Sequence, residues 1–122
     1  MNKLAVVITT PPYSNLTITA LSYIEAALHA KIELVGVFFY QDGVLNANSK
    51  VHIASDEFQT IKRWQDLHKN YQLPLHLCIT AAEKRGMTED DDTCHLIHPA
   101  FTVSGLGELV ELSTTADRLV QF

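Results

Sequence analysis

Cysteine is scarce in this sequence, with Cys78 and Cys94 the only two in 122 residues. Two cysteines cannot build the disulfide framework of a small secreted domain, and their scarcity points to a reducing compartment. Long apolar runs are missing as well. None approaches the ~20 residues that a membrane span requires. The run near the N-terminus, Leu4–Ile8, ends in Thr-Thr-Pro-Pro. It is too short for a secretory h-region and lacks a small-residue cleavage site. Basic charge is also thin: nine Lys and Arg against fourteen Asp and Glu give a formal net charge of −5, with no basic stretch. Nucleic-acid affinity rests on neutralising phosphates, so direct binding to nucleic acid is not expected. A soluble, cytoplasmic domain with protein partners and no membrane contact is.

Several signatures of chemistry are absent too. A thioredoxin-type Cys-x-x-Cys is missing. A tyrosine-phosphatase loop needs five residues between cysteine and arginine, whereas six separate Cys78 from Arg85. Gly105-Leu-Gly107 lacks the rest of either nucleotide fingerprint. Cys94, His95 and His98 make the one metal-like cluster. Zinc would need three or four ligands in tetrahedral array, and a fourth could come only from the acidic loop, so no metal is expected. No organic cofactor is expected either.

What is present reads as an α/β layered fold, 47% hydrophobic and able to bury a core. Leu4–Ile8 is a β-branched run suited to a strand buried on both faces. Ser14 is a plausible N-cap for a helix with Leu16, Ala20, Leu21, Ile24, Ala27 and Leu28 at helical spacing, ending near Ala30 and Lys31. Ile32–Tyr40 is a second strand. It runs into a turn-rich loop, Gln41–Asn48, a candidate wall of the site. Ser55 or Asp56 should cap the next helix, whose apolar face is Phe58, Ile61, Trp64, Leu67 and Tyr71. Trp64 reads as core.

Pro74–Cys78 is a short strand with small residues and Lys84-Arg85 behind it. The acidic stretch Met87–Thr93 reads as a surface loop. Ala100–Val103 is a fourth, weaker strand. Leu106–Ala116 is a helix with Leu106, Leu109, Val110 and Ser113 inward, and Ser104 as its cap. Asp117–Phe122 closes the chain as a strand. The expected architecture is three-layer α/β/α with about five mostly parallel strands, in a single domain over residues 1–122.

Ligands in such folds sit at the carboxyl ends of the strands, where Cys78 falls. Its bland reading is a buried core cysteine. The reactive reading needs thiolate, which an unperturbed thiol supplies at only about 3% at neutral pH; a helix N-terminus or cations such as Lys84 and Arg85 raise that fraction. Thiolate attacks sulfur, so a persulfide carrier fits. His76 alternates with Leu75 and Leu77 and reads as a sheet-face residue rather than a general base.

Five motifs in order are similar to the DsrE-like sulfurtransferase family, in its TusD branch: Val37–Asn48, Ala54–Phe58 with Trp64, Leu77–Gly86, Phe101–Gly107 and Asp117–Phe122. The resemblance implies a DsrE-like fold and a sulfurtransferase whose active cysteine is Cys78. It implies sulfur received as a persulfide from a TusA-like donor and passed to a TusE-like acceptor, for 2-thiouridine at the tRNA wobble position. It also implies TusB- and TusC-like partners in a heterohexamer-like complex. The alternatives are sulfur trafficking in sulfur oxidation, and a non-catalytic structural subunit. Two departures stand out. Thr9-Thr10-Pro11 lacks the family's usual glycine before proline, and Cys94 lies outside the family pattern. Should the acidic loop cover Cys78, Cys94 is a candidate resolving thiol; an incidental cysteine is the simpler reading.

Overall fold

The computed structural model describes residues 2–87 and 96–122. The apolar runs become strands β1 (Lys3–Ile8), β2 (Glu33–Phe39), β3 (Leu75–Cys78), β4 (Phe101–Ser104) and β5 (Arg118–Gln121). They form one five-stranded sheet in the order β4-β3-β2-β1-β5, with every neighbouring pair parallel. The fourth strand is thus real: Phe101 to Ser104 pair in register with Leu75 to Cys78. The helices are α1 (Asn15–His29), α2 (Thr60–Tyr71), α3 (Ile79–Lys84) and α4 (Leu106–Thr115).

The topology explains the layers. From β1 to β4 the chain steps in one direction across the sheet, so α1 and α2 lie together on one face. The return from β4 to β5 reverses that direction and sends α4 to the other face, giving three layers. On the α2 face, Phe39 packs edge-on against both Trp64 (4.9 Å between ring centroids) and Phe101 (5.1 Å). Trp64 is core, as expected. Ser14 caps α1, its hydroxyl accepting from Leu16 N–H at 3.2 Å. The helix stops at His29, after which Lys31 turns left-handed at φ 65°.

Several expectations need correction. The Gln41–Asn48 loop is a 3₁₀ helix over Gln41–Ala47. Neither Ser55 nor Asp56 caps α2. They lie in a turn held by Gln59, whose amide donates to Ala54 O at 2.8 Å, and Gln59 itself is the N-cap. Leu16 is exposed, and Thr17 takes the buried place because its hydroxyl donates to Pro11 O at 2.7 Å. Phe58 and Tyr71 are likewise exposed.

In α4 the inward stripe is Leu109, Leu112 and Ala116, while Leu106 and Val110 face out. Both stripes have helical spacing, so periodicity alone cannot choose between them. Gly36 of β2 does, because a Cβ there would come within 3.0 Å of Leu112 Cδ2. The bare backbone is the seat that Leu112 fills. Nor does Ser104 cap α4; Gly105 holds the N-cap position and Ser104 turns toward His76.

Candidate functional site

Cys78 is both the last residue of β3 and the N-cap residue of α3. The strand therefore delivers the thiol to the carboxyl edge of the sheet, where a short helix begins. Its residue is only 1% exposed, yet it lines a cavity of about 230 Å³ with Tyr40, Gln41, Thr80, Lys84, Arg85 and Leu106. The thiol is thus an inner wall of a small cleft whose mouth is polar and cationic on one side and apolar on the other.

The cleft is held by close packing of the 3₁₀ helix. Gly43 lies directly on the end of β1, where a Cβ would fall 2.0 Å from Ile8 O. Only glycine allows that approach. Asn46 is fully buried and its amide is satisfied on both sides. Its Nδ2 donates to Thr10 O (3.1 Å) and Gly43 O (2.9 Å), while Oδ1 accepts from Trp64 Nε1 (2.9 Å). The wall that carries Gln41, itself at φ 52°, is therefore rigidly placed.

The two cations expected near the thiol part company. Arg85 bonds through Nε (3.0 Å) and Nη2 (2.9 Å) to Asp42 Oδ1 of the 3₁₀ helix, and through Nη1 (3.0 Å) to Ala81 O. Its charge is committed to closing α3 onto that helix. Lys84 lines the cavity, and leaves an ammonium beside the cleft.

The opposite wall is built by α4. His76, two residues before Cys78, brings Nε2 to 3.2 Å from Glu108 Oε1 and Nδ1 to 3.4 Å from Ser104 Oγ. Sequence reading kept His76 as a sheet-face residue, and it does face out of the sheet. The Glu108 partner was not foreseen, because nothing in the chain's periodicity joins residues 32 positions apart. Asn46 lies within the segment expected to be turn-rich; its burial and its Trp64 partner have no sequence signal beyond a polar residue inside a strongly apolar motif. Of the metal-like cluster, Cys94 and His95 lie outside the described residues, as does most of the acidic loop. His98 uses Nδ1 to accept from Ala100 N–H at 3.0 Å. Burial first, then the neighbouring His68, holds its pKa below the ordinary 6.5. Among the described residues no helix is long and apolar enough to cross a membrane.

The family model described as DsrE/DsrF-like matches residues 2–122. Curated relatives include the sulfurtransferase TusD of Klebsiella pneumoniae, 41% identical over 127 residues and covering 98% of this chain and 99% of that protein. The sulfurtransferase TusD of Salmonella arizonae is 39% identical over the same spans. Among solved structures, the ychN protein of E. coli superposes with a TM-score of 0.81 at 20% identity, over 100% of both chains. That likeness speaks to the fold, and it agrees with the all-parallel five-stranded sheet. The motifs that pointed to a DsrE-like family thus pointed correctly: the chain belongs to the DsrE/DsrF-like family and is a sulfurtransferase within it.

Proposed function

We propose that this protein, a single domain over residues 1–122 acting in the cytoplasm, accepts sulfur as a persulfide on Cys78. It then relays that sulfur to a TusE-like acceptor on the route to 2-thiouridine at the tRNA wobble position. The observation that carries this reading is the place of Cys78: the end of β3, opening on a cleft shared with Lys84 and Leu106. A thiolate formed there attacks the terminal sulfur of a TusA-like donor persulfide, and the donor leaves as thiolate. The transfer calls for no redox partner. Lys84 supplies positive charge where the incoming and outgoing sulfur are anionic.

Partners of the TusB and TusC kind fit the surface beside the cleft. Leu106 and Val110 are 50% and 60% exposed, large apolar side chains one turn apart on the outer face of α4. Such patches mark protein interfaces. The net charge of −5 leaves tRNA itself to a downstream component.

Burial of Cys78 favours a second reading, a non-catalytic subunit whose thiol is core. Intact mass separates the two. The protein is incubated with a cysteine desulfurase, cysteine and a TusA-like carrier, with and without partner subunits. A reducible gain of one sulfur atom that disappears in Cys78→Ser is expected. No gain with the partners present leaves the structural reading.

A further inference from the structure

Among the described residues three polar side chains are buried, Thr17, Asn46 and Thr60. The first two are satisfied. The Thr17 hydroxyl donates to Pro11 O at 2.7 Å, and Asn46 is bonded on both sides of its amide. Thr60 differs: its residue is 1% exposed, and its hydroxyl has no hydrogen-bond partner among the described residues. Buried polar groups left so are few in folded proteins, and an apolar side chain of the same shape would fill the space without that loss.

Thr60 is also the first residue of α2, and that end of the helix is uncapped. Gln59, the N-cap residue, turns its side-chain amide back onto Ala54 O (2.8 Å) and Glu57 O (3.2 Å). Thr60 N–H donates to Phe58 O (3.0 Å), and the next bond runs from Arg63 N–H to Gln59 O (3.1 Å). Between them, the N–H groups of Ile61 and Lys62 have no acceptor among the described residues. No acidic side chain stands in the first turn. One hydroxyl and two amides, with the positive end of a helix of 12 residues behind them, are thus left as donors.

Thr60 lines a cavity of about 120 Å³ between the loop after β1 and the segment before α2. Asn15 lines it from the start of α1, whose first turn also lacks an acidic residue. Tyr13 and Phe58 are further lining residues, both exposed, and bring two aromatic rings to its mouth. Glu57 adds one negative charge to the lining. None of these residues belongs to the cleft of Cys78.

We propose that this cavity is a carboxylate site, in which the Thr60 hydroxyl and the Ile61 and Lys62 amides hold the two oxygens of a monoanion at the N-terminus of α2. A single charge suits a lining that keeps Glu57; a dianion such as sulfate meets twice the repulsion and binds more weakly. The carboxylate belongs either to a small molecule or to an acidic side chain of a protein segment, whose neighbouring residue then packs on the rings of Tyr13 and Phe58. The site stands apart from the sulfur chemistry and does not depend on it.

The test is an amide NMR titration of the whole chain with sodium acetate at about pH 7, sodium chloride replacing it at constant ionic strength. Saturable shifts at the Thr60, Ile61 and Lys62 amides are expected. Thr60→Val should weaken acetate about tenfold, whereas Thr60→Ser, which keeps the hydroxyl, should stay within about twofold of the native protein. Glu57→Gln should tighten it about twofold or more. Without acetate, Thr60→Val should leave Tm unchanged or raised, since its hydroxyl has no protein partner to lose. Equal acetate affinity in native and Thr60→Val protein, or shifts that chloride reproduces, would overturn the proposal. So would a Thr60→Val Tm that falls while acetate moves none of the three amides, the mark of a bound water alone. An N-acetylated, C-amidated dipeptide of leucine and aspartate identifies the source. Binding about tenfold or more tighter than acetate assigns the site to a protein segment, and binding equal to acetate assigns it to a small molecule.

Discussion

Trp64 Nε1 donates to Asn46 Oδ1 at 2.9 Å, and neither residue has any exposed surface. With its bonds to Thr10 O and Gly43 O, the Asn46 amide joins the loop after β1, the 3₁₀ helix after β2, and α2. Asn46→Ala strands the indole N–H and leaves two carbonyls without this donor. Each buried polar group so abandoned costs about 1–3 kcal/mol, so urea denaturation should show a loss of about 3 kcal/mol or more. Trp64→Phe keeps a ring against Phe39 and should cost less. The double variant should cost less than the sum, because the two act through one bond. Additive losses would show that the bond itself matters little.

Gly43 tests whether the cleft depends on that packing. The Cβ of Gly43→Ala would meet backbone, Ile8 O at 2.0 Å, so the 3₁₀ helix must lift away from β1. We expect a loss of about 1–3 kcal/mol and slower sulfur loading, since Tyr40 and Gln41 line the cleft. Gly107→Ala is the control. Nothing lies within 4 Å of its Cβ position, and alanine in the first turn of α4 should be neutral or gain about 0.5–1 kcal/mol. Equal effects at both glycines would mean that close approach at Gly43 has been overvalued.

Sequence reading succeeded where a single physical rule governed. β-Branched runs gave β1 and β2, and alternation in period gave the layers. It placed Cys78 at a strand's carboxyl end because that placement needs only the strand boundary. It failed where two choices were equally periodic and a distant residue decided between them. Leu106, Val110 and Ser113 make as good a stripe on α4 as Leu109, Leu112 and Ala116; the choice belongs to Gly36, seventy residues and more away. Ser55 and Asp56 are good caps by type, yet Gln59 folds the segment into a turn first. Sequence offers Arg85, with Lys84, as a cation able to raise the thiolate fraction. Its two hydrogen bonds to Asp42 Oδ1, 43 residues earlier, are a tertiary pairing that no local pattern encodes.

His98 supplies a pH dependence. Burial and the neighbouring His68 hold its folded pKa below 6.5, so the unfolded chain binds the proton more readily. Stability from this group is present above the unfolded pKa and is lost as pH falls through the folded one. His98→Asn, which can still accept from Ala100 N–H, should be compared with the native protein by thermal unfolding from about pH 8 down to about pH 5. The native protein should lose Tm relative to the variant below about pH 6.5. Parallel curves would show that another group carries the acid limb.

Val110 tests the apolar surface beside the cleft. It is 60% exposed on α4 and four residues from Leu106, so the two lie on one side of the helix. A side chain so exposed contributes little to the fold. Val110→Asp should therefore shift unfolding free energy by no more than about 0.5 kcal/mol. If a partner subunit packs there, an aspartate must be desolvated against apolar surface, and association should weaken at least tenfold. The measurement is co-purification and calorimetric titration with TusB- and TusC-like subunits, beside the iodoacetamide rate of Cys78 in the isolated chain. Lost association with an unchanged alkylation rate would place the interface on the outer face of α4 and separate partner binding from the reactivity of the thiol. Undiminished association would move the partner surface elsewhere, to the other exposed apolar side chains such as Leu119 at the β5 edge or Tyr13 in the loop after β1.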